Sequence, residues 1–175
     1  MRKIITQISF LTTVLLLTAC SFDERQQHKK VYTDTGLPSE EYYTIEKNGS
    51  FVKDGEYKSW YKNGQIKEQL EFKNGVLDGK VRTWYLGGQL EKEGETKNGK
   101  EEGMYRMWYE NGQLQMEAFF KNGRLEGIGR GWHENGQLRN EGEAKNGKKE
   151  GVWKYWYESG QLKEQIEYKN GVQIR

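Results

Sequence analysis

Two histidines, His28 and His133, are the side chains of this sequence best suited to move protons near neutral pH. A general base built on either needs a nucleophile and an orienting carboxylate beside it, and no Ser/His/Asp arrangement stands out. Two histidines and one cysteine also give no cluster with the spacing of metal ligands. Carboxylates are plentiful, but the recurring ones, Glu93, Glu117 and Glu141, fall opposite Arg82, Arg106 and Arg130 in the strand register derived below. A salt-bridged, solvated face explains them. The glycine-rich stretches lack a following helix, so they are not phosphate loops. The expectation is a protein that is not an enzyme and that uses no cofactor and no metal. The chemistry left is recognition. Trp60, Trp84, Trp108, Trp132 and Trp156 recur without an insertion, and Trp, Tyr and Arg dominate binding hot spots. His133 stands where the other units carry tyrosine, so its simplest reading is a tolerated aromatic replacement.

The tryptophans are one mark of a 24-residue period that Gly55, Gly79, Gly103, Gly127 and Gly151 also keep, as do Gly64, Gly88, Gly112, Gly136 and Gly160. A fixed period of this size marks a repeat array in which each unit contacts its neighbours. Each unit holds two turns of the Asn-Gly kind, for example Asn63-Gly64 and Asn74-Gly75, with Gly87-Gly88 and Ser159-Gly160 as departures that keep the second glycine. Asn-Gly is the strongest short hairpin signal, because a type I′ turn needs positive φ at both central residues. Helical periodicity is absent. The predicted fold is all-β: an elongated single-layer antiparallel meander of five hairpin repeats, with ten or eleven strands.

Two-residue turns fix register, so partners follow. With Asn63-Gly64 as the loop, Lys62 faces Gln65, Tyr61 faces Ile66, Tyr57 faces Leu70 and Gly55 faces Phe72. The same rule predicts Tyr85–Leu90, Tyr109–Leu114, His133–Leu138 and Tyr157–Leu162, and the glycine–aromatic pairs Gly103–Phe120 and Gly151–Tyr168. It sets Trp60 against Lys67, Trp132 against Arg139 and Trp156 against Lys163, pairs suited to cation–π contacts of about 0.5–1 kcal/mol. The rings recur roughly every 9.6 Å along the sheet, as backbone shields or as anchors for a partner. Both turns agree on one polar face and one apolar face carrying Tyr61, Ile66, Leu70, Phe72 and their repeats. No helix or second sheet is at hand to cover the apolar face, so either the sheet curls over it or another molecule docks there. In the fourth unit Gly127, Gly129, Gly131, Gly142 and Ala144 strip bulk from that face, marking a bend or a shallow notch. Gly129, Gly131 and His133 therefore join the five tryptophans as candidate binding residues.

The chain opens with Arg2 and Lys3, an apolar run over residues 4–17, and then Leu17-Thr18-Ala19-Cys20. That is the pattern of a secretory signal over residues 1–19, too short for a membrane span of roughly 20 residues. Leu-Thr-Ala-Cys resembles the lipobox of bacterial lipoproteins, which implies lipidation of Cys20 and attachment to a membrane. The same resemblance, with Ser21 after the cysteine, implies the outer membrane where the source has two. Cys20 is the single cysteine, so no intrachain disulfide can form. Residues 20–41 are expected to be a lipid anchor and mobile tether, 42–53 a partial capping repeat and 54–175 the five-repeat sheet. Removing residues 1–19 takes Arg2 and Lys3 from the 28 basic side chains and leaves 26 against 26 acidic ones. A neutral, finely mixed chain lacks the basic patch that nucleic-acid binding needs.

The unit Asp54-Gly55-Glu56-Tyr57-Lys58-Ser59-Trp60-Tyr61-Lys62-Asn63-Gly64-Gln65-Ile66, completed by an acidic strand and Lys-Asn-Gly, resembles the MORN-repeat variant family, whose bacterial members include YwqK-like antitoxins. The resemblance runs from Asp54 to Gln173 and implies an elongated sheet of hairpins. It leads to the expectation of a non-enzymatic, lipid-anchored protein-binding module, such as an envelope immunity protein against a toxin. The alternative is a structural envelope lipoprotein whose repeats contact membrane surface or cell-wall glycan.

Overall fold

A computed structural model of the protein describes residues 25–175. These form one antiparallel sheet of thirteen strands in strict chain order: β1 (Gln26–Val31), β2 (Pro38–Lys47), β3 (Ser50–Trp60), β4 (Ile66–Lys73), β5 (Val76–Trp84), β6 (Leu90–Lys97), β7 (Lys100–Trp108), β8 (Leu114–Lys121), β9 (Arg124–Trp132), β10 (Leu138–Lys145), β11 (Lys148–Trp156), β12 (Leu162–Lys169) and β13 (Val172–Gln173). No described residue is helical. The structural units are 52–75, 76–99, 100–123, 124–147 and 148–171, numbered one to five below. Each contributes one long and one short strand, so the array advances about 9.6 Å per unit.

The two turns of a unit differ although both read Asn-Gly. At Asn74-Gly75 both residues have positive φ (53° and 86°), the type I′ turn that puts Lys73 opposite Val76 and Phe72 opposite Leu77. At Asn63-Gly64 only the glycine does. There Gly64 N–H donates to the Tyr61 carbonyl and Tyr61 N–H donates to the Gln65 carbonyl, a type I turn closed by a left-handed glycine that forms a bulge. The Asn63 carboxamide oxygen accepts from the Gln65 N–H at 3.0 Å, which holds the asparagine in right-handed space. The bulge corrects the register near this turn. Trp60, and not Tyr61, faces Ile66, and the same holds for Trp84–Leu90, Trp108–Leu114, Trp132–Leu138 and Trp156–Leu162. Lys67 and Lys163 lie over the rings of Tyr61 and Tyr157 and not over Trp60 and Trp156. Beyond the bulge the expected pairs Tyr57–Leu70, Gly55–Phe72, Gly103–Phe120 and Gly151–Tyr168 are present.

The expected tether is also corrected. Residues 26–31 pair with β2 from Gln26–Thr44 to Val31–Pro38. Tyr32 closes the connecting turn as Tyr61 closes its own, with its N–H on the Leu37 carbonyl and its carbonyl taking the Gly36 N–H. The Tyr32 hydroxyl then donates to the Trp60 carbonyl at 2.7 Å. The segment is thus a worn repeat, with Val31-Tyr32 in the place of Trp60-Tyr61 and one extra residue in the turn. Cys20 and residues 1–19 lie outside the described residues.

Candidate binding surface

The repeated polar residues bond one unit to the next along one edge of the sheet and close each unit's own turn along the other. On one edge of the sheet the tyrosine after each tryptophan donates its hydroxyl to the tryptophan carbonyl of the following unit: Tyr61 to Trp84, Tyr85 to Trp108 and Tyr109 to Trp132, at 2.7–2.9 Å. His133 takes the same role, its Nε2–H donating to the Trp156 carbonyl at 2.9 Å. Asn63, Asn111 and Asn135 add bonds to the carbonyls of Leu86, Glu134 and Glu158. On the other edge a carboxylate accepts the N–H of the turn asparagine in its own unit: Asp54 from Asn74, Asp78 from Asn98, Glu102 from Asn122, Glu126 from Asn146 and Glu150 from Asn170. These groups are scaffold. His133 is part of it.

One face of the sheet, the packed face, carries a row running Tyr57, Leu70, Val81, Gly94, Tyr105, Ala118, Gly129, Gly142, Trp153 and Ile166 through the ladder. Large and small residues interdigitate. A Cβ on Gly94 would meet the Tyr105 ring at 2.6 Å, and one on Gly142 would run into the Trp153 indole. Leu125 packs over Gly129, 3.5 Å from where its Cβ would be. Lysines close the row from above: Lys53 lies 3.9 Å from the Tyr57 ring centre, Lys92 5.1 Å from Tyr105 and Lys149 4.6 Å from Trp153. Their aliphatic stems cover apolar surface while the ammonium stays wet. Tyr105 is 2% exposed and Trp153 6%. Burial, more than the Glu101 and Glu95 carboxylates, pushes the Tyr105 phenol up to about 12. The notch expected in unit four is therefore filled: Gly129 and Gly131 are buried, with Gly131 under Asn140 and Arg139. The uncovered apolar face is corrected with it, because the lysines and the interlocked row cover it.

The opposite, open face has three stripes. In the centre a ladder of alternating charge crosses the sheet, with Arg82–Glu93, Arg106–Glu117 and Arg130–Glu141 paired at 2.5–2.7 Å, continued by Glu141 beside Lys154. At one side run the five tryptophans with Ile66, Leu90, Leu114, Leu138 and Leu162 opposite them. All five tryptophans are half-buried. Among the described residues the indole N–H that donates within the chain is that of Trp153, on the packed face. On the ladder's other side Met104, Phe119, Ile128 and Val152 are 42%, 42%, 54% and 50% exposed. These four had given no signal in the sequence, because alternation alone does not mark an apolar residue on the charged face of a strand.

At the turns themselves the charge is uneven. Lys97 faces Lys100, Lys121 faces Arg124 and Lys145 faces Lys148 across successive turns on one edge. Glu110, Glu134 and Glu158 occupy the turns of the other edge. Grooves of about 340 and 550 Å³ between these turns are lined by Lys100, Lys121 and Arg124 with Glu126 and the turn asparagines, and by Arg124, Lys145 and Lys148 with Glu150 and the turn asparagines.

A search of curated proteins finds no match to this chain. The MORN repeat variant matches five times in succession, over residues 53–74, 77–98, 101–122, 125–146 and 149–170. Each match spans most of one odd strand, the bulged turn, and the next strand as far as the asparagine of its Lys-Asn-Gly turn, so the sequence unit follows the hydrogen-bonded unit. Together they cover more than half of the chain. It belongs to the MORN repeat variant family.

Proposed function

We propose that this protein is a non-enzymatic binding module, held at the cell envelope by lipidated Cys20, whose open face engages another protein. The observation that carries this reading is the division of labour among repeated residues. Repeated Tyr and Asn groups are consumed by bonds between units and the repeated Asp/Glu groups by the turn of their own unit, whereas the five tryptophans stand half-buried in a row on the open face. Their indole N–H groups make no bond within the described chain. A row of amphipathic rings beside paired arginines has the composition of a protein-binding surface. An immunity protein that neutralises a toxin at the envelope is the most concrete form of this function.

The test is affinity purification of the full-length chain from gently solubilised membranes of its source. One protein partner at a fixed stoichiometry is expected, lost in the Trp60/Trp108/Trp156→Ala variant while Cys20→Ser releases the chain from the membrane fraction. Recovery without a protein partner, with binding to vesicles or peptidoglycan instead, would replace this reading with that of a structural envelope protein.

A further inference from the structure

Given a protein partner on the open face, as proposed above, we propose that the segment docked there is a basic, proline-rich stretch in the polyproline II conformation, laid along the tryptophans of units three to five. Three positions change together at the boundary between units two and three, the second of the array. Lys62 and Leu86 give way to Glu110, Glu134 and Glu158. Val52 and Val76 give way to Lys100, Arg124 and Lys148, and Glu56 and Lys80 to Met104, Ile128 and Val152. The backbone does not require these changes, because the bonds between units and within their turns are the same on both sides of the boundary. The first change puts a row of carboxylates beside a row of indoles.

The tryptophans recur about every 9.6 Å along the array, and each indole offers a donor and no acceptor. A chain that answers them in register must present the same side at that interval with its carbonyls free. A polyproline II helix does both, repeating a face every three residues, about 9.3 Å, and making no internal hydrogen bonds. An α-helix returns to one face after seven residues, about 10.5 Å, with its carbonyls consumed. A β-strand returns after two, about 6.7 Å. Over the two steps from Trp108 to Trp156 the polyproline II helix drifts by about 0.6 Å, a third of the α-helical drift. Leu114 and Leu138, opposite Trp108 and Trp132, complete an apolar stripe between successive rings. Proline rings can be buried on it without losing side-chain freedom.

Charge sets the sign of the segment. Glu110, Glu134 and Glu158 each follow a tryptophan by two residues, at the turn that closes the same hairpin. They share its interval, so one cation at every third residue of the segment meets each of them. Glu110 and Glu134 have no ion pair among the described residues, and Glu158 lies 4.0 Å from His133. On the inner side of the row Arg106 and Arg130 are already paired with Glu117 and Glu141. Arg139 and Lys163 are turned onto Gly131 and the Tyr157 ring. The open-face carboxylates Glu95, Glu143 and Glu167 lie across the Arg–Glu ladder, away from the tryptophans. The turns next to Glu95 and Glu143 also carry two cations to one capping carboxylate. A basic segment is therefore drawn to the tryptophan side, where electrostatic complementarity fixes its register.

The experiment is fluorescence anisotropy of labelled synthetic peptides with the full-length chain in mild detergent. (Pro-Pro-Lys)4 should bind about tenfold more tightly than (Gly-Gly-Lys)4, which has the same charge without the preformed helix. It should exceed (Pro-Pro-Pro-Lys)4 by about as much, because a period of four scatters the lysines around the helix. Binding should weaken as salt rises. Trp108/Trp132/Trp156→Phe keeps aromatic rings and removes the donors, and should cost about tenfold. Glu110/Glu134/Glu158→Lys, with unchanged far-ultraviolet circular dichroism, should reverse the preference from (Pro-Pro-Lys)4 to (Pro-Pro-Glu)4. Equal binding of the three lysine peptides, or binding of none, overturns the proposal. So does a folded Glu→Lys variant that keeps the parent's preference. If a protein partner is nevertheless captured through the tryptophans, the protein-binding reading stands and its polyproline form alone falls.

Discussion

Units one and two and units three to five are the same scaffold carrying different surfaces. In both segments a tyrosine hydroxyl, or in unit four the His133 imidazole, reaches the next unit's tryptophan carbonyl, and a carboxylate caps the second turn of its own unit. Even the switch from Asp54 and Asp78 to Glu102, Glu126 and Glu150 leaves the acceptor in place. What differs lies on the edges and on the open face. In a repeat array, where each unit answers mainly to its neighbours, positions that vary without disturbing the inter-unit bonds are free to serve recognition. The positions that change together at the second boundary are therefore the informative ones, and the invariant tryptophans share their face.

The strongest challenge to a common scaffold is steric. Gly94 sits under Tyr105 at the junction of units two and three, and Gly142 sits under Trp153 at the junction of units four and five. Gly94→Val and Gly142→Val should each destabilise by about 3 kcal/mol, because a branched side chain must displace a ring held on backbone. Urea titration measures both. A cost at one junction and not at the other would show that the packing across the boundary between the two segments differs from the packing within the second.

Alkaline titration makes the same comparison at the buried phenols. Tyr57 of unit one and Tyr105 of unit three are both raised, by burial first, and Tyr105 goes from the ordinary 10.0 to about 12. A phenol that ionises later in the folded chain than in the unfolded one stabilises the fold in full below the unfolded value. That stability is lost as pH climbs from about 10 through about 12. The loss should be on the order of 2 kcal/mol for Tyr105. Tyr105→Phe should remove most of this alkaline decline and Tyr57→Phe a smaller part. If neither flattens the stability curve above pH 10, the packed row is not as closed as its exposures indicate.

The bonds between units give a smaller signal. Tyr61→Phe and Tyr109→Phe each delete one partly buried hydroxyl from a carbonyl acceptor and should cost about 1 kcal/mol. His133→Tyr restores the repeat residue and should be neutral or slightly stabilising by thermal melt, whereas His133→Phe should lose as much as Tyr109→Phe. Unequal losses in the two segments would break the equivalence on which the comparison rests.

How much of this was legible in the sequence depended on whether the deciding interaction was local. Asn74-Gly75 was readable because both residues must adopt positive φ and both do. Asn63-Gly64 carries the same two letters, yet its asparagine is committed on both sides: Oδ1 takes the Gln65 N–H and Nδ2 reaches Leu86 of the next unit. Those bonds select the bulged turn, and the unit that supplies one of them lies 23 residues away. The strand Gln26–Val31 was hidden by its polar composition. The signal that would have found it is Tyr32 followed by Gly36-Leu37, a stretched copy of Tyr61 followed by Gly64-Gln65. The filled notch was unreadable for a similar reason. Gly142 looks like missing bulk until the ladder brings Trp153 across from the next strand.

The smallest effect bears most directly on the comparison. Lys100/Arg124/Lys148→Val gives the third, fourth and fifth units the residue that Val52 and Val76 place in the first two. Each replaced side chain lies against the glycine of the next turn, Lys100 at Gly123, Arg124 at Gly147 and Lys148 at Gly171, just as Val52 lies at Gly75. A valine fits there by precedent, so packing should not suffer. Removing three opposed cation pairs should raise stability by about 0.2–1 kcal/mol per pair at low ionic strength. Most of that gain should vanish near physiological salt, where the screening length is about 8 Å. A triple variant that loses stability at low salt would mean that the basic edge holds the array together, and the contrast between the two segments would then be one of scaffold after all.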